Sequence, residues 1–237
     1  MSVAARSCAA GAGRRLWPYN VVRNKDASPI ANVPAVRRLT DHLVQLGIRQ
    51  IAVVAGHGEA SVPHGLRGCR GEVAIVRHTV AEEGAPAALL GAQSVEDDVL
   101  VLPGDVVTAP ENLKALLARF EEERPLAAAL VQPLGHERPR DWLVAYPENG
   151  RLRGLEGHPR GGTHRLCGAY AFRREALAYL RDNPGLVTRV PVGGRPPQEA
   201  EIGQSVQMML DEGRDRQTVL AQQQIERHSW GPERYGW

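Results

Sequence analysis

The strongest constraint on the fold is an alternation of short apolar runs with longer amphipathic stretches. The apolar runs have the length and β-branched content of buried strands: Ile51 to Ala55, Val73 to Val76, Val99 to Leu102 and Leu126 to Val131. Helical periodicity predicts helices over Val33 to Leu46, Ala85 to Gln93, Pro110 to Glu123 and Arg174 to Asp182. The alternation predicts an α/β fold built on a mostly parallel sheet with helices on both faces.

The second half of the chain has a different pattern of predicted elements. Short strand-like pieces, Trp142 to Tyr146 and Arg151 to Leu155, lie among glycine-containing turn signals. We therefore expect a small antiparallel lobe beside a doubly wound, Rossmann-like sheet. Our interpretation is one domain over 1–237, with halves 1–135 and 136–213 and a divergent tail over 214–237.

Charge and cysteine content narrow the classes of partner. The 29 basic and 27 acidic residues are interspersed along the chain, so the net charge of +2 gives no electrostatic reason to expect nucleic-acid or membrane binding. Cys8, Cys69 and Cys167 lack the C-x-x-C spacing of a zinc or redox site, which favours a reduced, cytoplasmic protein. The chain has two lysines, Lys25 and Lys114, against a large excess of arginine.

A glycine-containing segment carries the clearest chemical signal. It follows a predicted first strand, Val3 to Ala9, and it runs Ala10-Gly11-Ala12-Gly13-Arg14-Arg15-Leu16-Trp17-Pro18 before Lys25. Glycines let backbone N–H groups face an anion, and nearby cations can neutralise phosphate charge. A tight turn flanked by solvated charges would also explain the segment. A dinucleotide fingerprint is disfavoured because Leu16 occupies the position of its third glycine.

The run from Ala9 to Leu39 resembles the signature of sugar-1-phosphate nucleotidylyltransferases, in which L-A-A-G-x-G-T-R-L-x-P leads to P-K-x-x-x-P. Leu102-Pro103-Gly104-Asp105 resembles the G-D pair that follows a central strand in that family. The resemblance implies that Arg15 and Lys25 are catalytic phosphate contacts and that Asp105 holds Mg²⁺. It also implies a larger nucleotide-binding set: Ala10, Gly11, Ala12, Gly13, Arg14, Gly84 and Ala85.

The resemblance extends to the second half. Cys167-Gly168-Ala169-Tyr170-Ala171-Phe172 resembles the family's N-A-G-x-Y-x-F strand, which lines a sugar pocket. This makes Gly168 a candidate sugar contact, and Glu156 lies near the family's E-K-P element. The implied division is a nucleotide-binding half over 1–135 and a sugar-binding half over 136–213.

The implied reaction joins a nucleoside triphosphate to a sugar 1-phosphate, with Mg²⁺ as cofactor, and releases pyrophosphate. No nucleic-acid or membrane partner is expected, and a homo-oligomer stays open. Three positions depart from the family: Arg14 replaces a small hydroxyl residue, Asn24 replaces the proline before Lys25, and the C-terminal W-x-D is missing, with Glu233 as the nearest candidate for its carboxylate. The alternative is a catalytically impaired homologue that binds a nucleotide or NDP-sugar as a regulatory or partner subunit.

Overall fold

The computed structural model describes residues 3–13, 16–78, 85–92, 97–157, 159–183, 202–214, 216–221 and 226–227. The strands within these ranges are β1 (Val3–Ala9), β2 (Pro29–Ile30), β3 (Val33–Pro34), β4 (Ile51–Ala55), β5 (Val73–Arg77), β6 (Asp98–Pro103), β7 (Val106–Val107), β8 (Ala127–Pro133), β9 (Leu143–Glu148), β10 (Arg151–Gly157), β11 (His164–Phe172), β12 (Arg216–Leu220) and β13 (Glu226–Arg227). The helices are α1 (Ala35–Gln45), α2 (Val62–Gly65), α3 (Ala85–Ala92), α4 (Pro110–Glu123), α5 (Leu177–Arg181) and α6 (Ile202–Asp211).

Nine strands form the central sheet, in the order β5-β4-β1-β6-β11-β8-β12-β10-β9. Strands β5, β4, β1 and β6 run parallel, as do β8 and β12, whereas β11, β10 and β9 make antiparallel pairs. The predicted α/β fold is therefore confirmed. Of the antiparallel strands, β11 lies inside the sheet between β6 and β8, whereas β10 and β9 form one edge of it.

Side-chain alternation along the buried strands covers both faces of this sheet. In β6, Leu100 and Leu102 pack with helices α1 and α4, while Val99 and Val101 pack with α3, α5 and α6. All four of these side chains are fully buried. A strand covered on both faces reads as a continuous apolar run in the sequence, which is why this run was recognisable.

Two of the predicted elements are observed with their predicted bounds. Strand β4 and helix α4 agree residue for residue with the predictions. The predicted helix from Arg174 to Asp182 is a 3-10 turn, Arg174–Ala176, followed by α5. The helical periodicity of Gln198 to Gly213 also predicts a helix; α6 begins at Ile202, and residues 198–201 lie outside the described residues.

The C-terminal stretch contributes to the sheet through β12. This strand inserts between β8 and β10, so it joins the first and second halves of the chain. Strand β13 pairs with β7 in a separate two-stranded ribbon. Within the described ranges, no helix combines the length and the apolarity that crossing a bilayer requires.

Arg6 is a charged residue in the buried strand β1, and local hydrogen bonds explain how it is accommodated. Its guanidinium donates to the carbonyl oxygens of Ala5, at 2.8 Å, and of Gly91 in helix α3. Burial lowers the pKa of the Arg6 guanidinium. These contacts let the side chain link β1 to the helix that packs on it.

Candidate functional site

Three loops meet at the carboxyl edge of the parallel strands. Cys8 of β1 is in register with Pro103 of β6, and Ala9 of β1 is in register with Ala55 of β4. The loops that follow β1, β4 and β6 therefore emerge side by side. The chain runs from β1 outward to β4 and β5, then returns to the other side of β1 as β6. Such a switch in strand order is where open α/β sheets bind ligands.

Lys25 and Asp105 meet at this switch point. The Nζ atom of Lys25 lies 3.5 Å from Oδ2 of Asp105, and their side chains are 14% and 9% exposed. Lys25 belongs to a short 3-10 helix, Lys25–Ala27, and Asp105 lies two residues beyond the end of β6. The structure thus brings together two residues that the sequence motifs proposed separately.

A second carboxylate lies beside this pair. Asp26 is 0% exposed, and its side chain packs against Gly104, the residue before Asp105. A Cβ atom at position 104 would lie 2.7 Å from Oδ2 of Asp26, a distance that real Cβ atoms essentially never show. Glycine is therefore required here by close approach, and its lack of a side chain lets the Asp26 carboxylate reach the turn that carries Asp105.

The glycine loop packs directly on the lysine. Gly13 has φ +57°, and a Cβ atom there would lie 3.0 Å from the Cβ of Lys25. Asn20 stabilises the same loop because its Nδ2 donates to the carbonyl oxygen of Ala12 at 3.1 Å. Ala10 and Gly11 are buried at the end of β1. The predicted phosphate loop and Lys25 are therefore neighbours in space.

Several predicted residues lie outside the described part of the chain: Arg14, Arg15, Gly84 and Glu233. Their roles stay predictions. Ala85 is the first residue of helix α3.

In the second half, Glu156 lies in β10 and accepts a hydrogen bond of 2.8 Å from the hydroxyl of Tyr146 in β9. Burial, and then this hydrogen bond and the carboxylate charge, raise the pKa of the Tyr146 hydroxyl. Gly168 has φ +81° and lies within a register irregularity between β11 and β8. Glu156 is thus fixed by a neighbouring strand, and its role and that of Gly168 as sugar contacts stay predictions.

Sequence reasoning did not identify Asn24 and Asp26 as parts of the site. Both are 0% exposed, and both flank Lys25 directly. The available signal was three consecutive polar residues, Asn24-Lys25-Asp26, after a glycine loop. Such a run resembles an exposed turn, so its burial was not apparent.

Two known proteins are similar in sequence to this chain over most of its length. The CMP-5'-(3-aminopropyl)phosphonate synthase of Streptomyces rubellomurinus is 29% identical over 185 residues, which cover 73% of this chain and 28% of that protein. The bifunctional protein GlmU of Bacillus mycoides is 29% identical over 187 residues, which cover 71% of this chain and 38% of that protein. The chain thus spans well under half the length of these relatives.

Solved structures share the fold. The inositol-1-phosphate CTP transferase of T. maritima superimposes with a TM-score of 0.80 at 16% identity, over 98% of this chain and 91% of that one. The UDP-glucose pyrophosphorylase of Acinetobacter baumannii gives a TM-score of 0.78 at 18% identity, over 96% and 88%. The MobA-like NTP transferase domain matches residues 8–190. This chain belongs to the MobA-like NTP transferase family.

Proposed function

We propose that this protein is a nucleotidylyltransferase that uses Mg²⁺ to join a nucleoside triphosphate to a sugar 1-phosphate, releasing pyrophosphate. The observation that carries the proposal is the Lys25–Asp105 pair beside the glycine loop, at the switch point of the sheet. Family membership supports the transferase class. The resemblance of the N-terminal motif to sugar-1-phosphate nucleotidylyltransferases supports the acceptor.

Lys25 supplies positive charge where phosphate charge would develop. Its side chain is 14% exposed, and the surrounding protein screens its charge less than bulk water would. An ammonium group held in place stabilises a phosphoryl-type transition state without reorganising during the reaction. Asp105 holds this ammonium group in position in the described structure.

The residues present fit a magnesium ion. Mg²⁺ prefers carboxylate and phosphate oxygens and keeps several of its waters, so one or two protein carboxylates suffice. Asp105 would bind the ion, and the buried carboxylate of Asp26 adds a second negative charge beside the same turn. Within the described ranges, no group of three or more His, Cys, Asp or Glu side chains could hold a metal ion, so in this proposal the triphosphate and water would supply the further ligands. The ion would neutralise charge on the triphosphate.

Glu233 remains our candidate for a further carboxylate. In the β7–β13 ribbon Arg227 pairs with Val106, the residue that follows Asp105. The described chain therefore reaches the site from its C-terminal side as well. Replacing Glu233 with alanine should raise the magnesium concentration needed for half-maximal turnover, and an unchanged magnesium requirement would exclude the residue.

The reaction needs no covalent intermediate with the protein. A phosphate oxygen of the acceptor forms a bond to the α-phosphorus, and the bond from that phosphorus to the bridging oxygen breaks. The bonding electron pair leaves with pyrophosphate. The protein contributes positioning and charge neutralisation, which are the main sources of catalysis in phosphoryl transfer.

The test is pyrophosphate release by the purified protein with Mg²⁺ and panels of nucleoside triphosphates and acceptors. The acceptor panel should include sugar 1-phosphates, inositol 1-phosphate and a phosphonate, because the similar proteins include a CMP-5'-(3-aminopropyl)phosphonate synthase and an inositol-1-phosphate CTP transferase. Release that requires both substrates supports the transferase. Nucleotide binding without release would instead support the impaired binding homologue.

The two lysines provide a matched pair of variants. Lys25→Ala should lower kcat by about 10²- to 10³-fold, the range seen when one transition-state donor is removed. Lys114→Ala removes an exposed lysine of α4 and should leave kcat unchanged. Asp105→Ala should abolish magnesium-dependent turnover. Equal activity of the Lys25 and Lys114 variants would contradict the assignment of the site.

A further inference from the structure

We propose that Asn24 is a positioning residue that fixes Lys25 against the glycine loop through its side-chain amide. The inference rests on the proposed function, and it concerns a position where this chain departs from the family motif. Asn24 caps the 3-10 helix that carries Lys25, and the residue is 0% exposed.

The Asn24 amide links the two loops that follow β1 and β4. Its Nδ2 donates at 2.7 Å to the carbonyl oxygen of Ala9, where β1 ends and the glycine loop begins. The same nitrogen donates at 2.7 Å to the carbonyl oxygen of His57, in the loop after β4. Its Oδ1 accepts from the backbone N–H of Asp26 at 2.9 Å. Both amide protons and one acceptor position are thus used.

The backbone of Asn24 completes this arrangement. Its N–H donates at 2.8 Å to Oγ of Ser61, which itself donates at 2.8 Å to the carbonyl oxygen of Gly58. Hydrogen bonds from Gly56 to Ala9 and from His57 to Ala10 join the same two loops. The turn that precedes Lys25 is therefore held by side-chain and backbone contacts to two strand ends.

The backbone conformation separates this role from that of the family's proline. Asn24 has φ −62° and ψ 140°, and a proline ring fixes φ near the same value, about −65°. Proline could therefore adopt the Asn24 backbone, yet it has no amide to donate and no N–H. If φ alone matters, Asn24→Pro should work as well as the natural chain. If the hydrogen bonds of Asn24 position Lys25, it should fail, and Asn24→Ala, which keeps the backbone N–H that donates to Ser61, isolates the contribution of the side-chain amide.

The position of the Lys25 ammonium group should affect the rate of the chemical step. Lys25 must place its ammonium group where charge develops on the phosphates, and displacements of about 1 Å can cost about a hundredfold in rate. Loss of the Asn24 links would leave the lysine present but displaced from the glycine loop. The rate of the chemical step would then fall more than the affinity for the nucleotide.

The experiment compares Asn24→Ala, Asn24→Pro and Asn24→Asp with Asn112→Ala as matched control. Asn112 is also 0% exposed and donates from Nδ2 to Thr108 Oγ1 at 3.1 Å, but it lies on α4 and outside the three loops. We expect kcat to fall at least about tenfold in each Asn24 variant, about 1.4 kcal/mol of transition-state stabilisation. KM for the nucleotide should change little, and the Asn112 variant should lose thermal stability without losing kcat. An unchanged kcat in the folded Ala or Pro variant would overturn the proposal.

A second readout does not depend on turnover. Because the chain has two lysines, acylation of Lys25 and Lys114 can be followed separately by mass spectrometry. Release of Lys25 from Asp105 should raise the ratio of Lys25 to Lys114 labelling in the Asn24 variants, but not in Asn112→Ala. An unchanged ratio would overturn the proposal. A wild-type protein that releases no pyrophosphate would defeat the proposed function, and the labelling ratio would still decide the role of Asn24.

Discussion

Gly104→Ala tests whether the two carboxylates are packed as tightly as the structure shows. The new Cβ would lie 2.7 Å from Oδ2 of Asp26 and 2.8 Å from its Cγ, whereas ordinary contact begins at 3.4 Å. The Asp26 carboxylate would have to retreat by about 0.7 Å, and it is fully buried in a helix capped by Asn24. Overpacking of this kind costs about 1–3 kcal/mol.

Urea denaturation followed by circular dichroism measures that cost. Thermal unfolding gives a second measure, because in a protein of this size each 1 kcal/mol of lost stability lowers Tm by about 2–4 °C. Gly161→Ala is the matched control, because a Cβ there meets nothing within 4 Å and its φ is not in the left-handed region. The control should change the free energy of unfolding by no more than about 0.5 kcal/mol.

A double-mutant cycle identifies the partner of the clash. In an Asp26→Ala background the carboxylate is gone, so the cost of Gly104→Ala should shrink by about 1 kcal/mol or more. Equal costs in the two backgrounds would show that the destabilisation comes from elsewhere. That result would refute the placement of Asp26 against Gly104.

Three further perturbations test other parts of the structure. Arg173→Met removes a guanidinium that binds the Asp98 carboxylate and the Phe120 carbonyl oxygen, so unfolding by urea should show a loss of about 2–4 kcal/mol; a loss below about 1 kcal/mol would contradict this. Burial lowers the pKa of His42 below 6.5, so in acid the unfolded chain binds more protons than the folded chain. The contribution of His42 to stability should be fully present above pH 6.5 and should decline below it. His42→Gln should therefore flatten the fall of Tm in acid. If Glu156 binds the acceptor, Glu156→Gln should raise the acceptor KM about tenfold and spare the nucleotide KM, and an unchanged acceptor KM would exclude the contact.

The sequence predicted the parallel half of the fold well because burial there leaves a simple pattern. Strands β4 and β6 are covered on both faces, so their apolar runs are continuous and short. Helix α4 opens with Pro110 and Glu111, which mark its first turn. Local signals of this kind do not depend on distant parts of the chain.

The C-terminal part was less predictable for a physical reason. Strand β12 has the sequence Arg-Gln-Thr-Val-Leu, which carries no strong strand signal, and it is placed by its pairing with β8. That partner lies almost ninety residues earlier in the chain, at Ala127 to Val131. Pairing over such a separation leaves little trace in the local sequence, and the division at residue 214 reflected composition alone.

The same contrast between local signals and long-range contacts explains which site residues the sequence identified. Lys25 and Asp105 were found because motif spacing identifies residues one at a time, whereas Asn24 was noted only as a departure from the motif. Its φ of −62° shows that the substitution keeps the backbone a proline would impose, and its hydrogen bonds show what the amide adds. A departure from a family motif therefore need not weaken the site, because the new side chain can make contacts that proline cannot make.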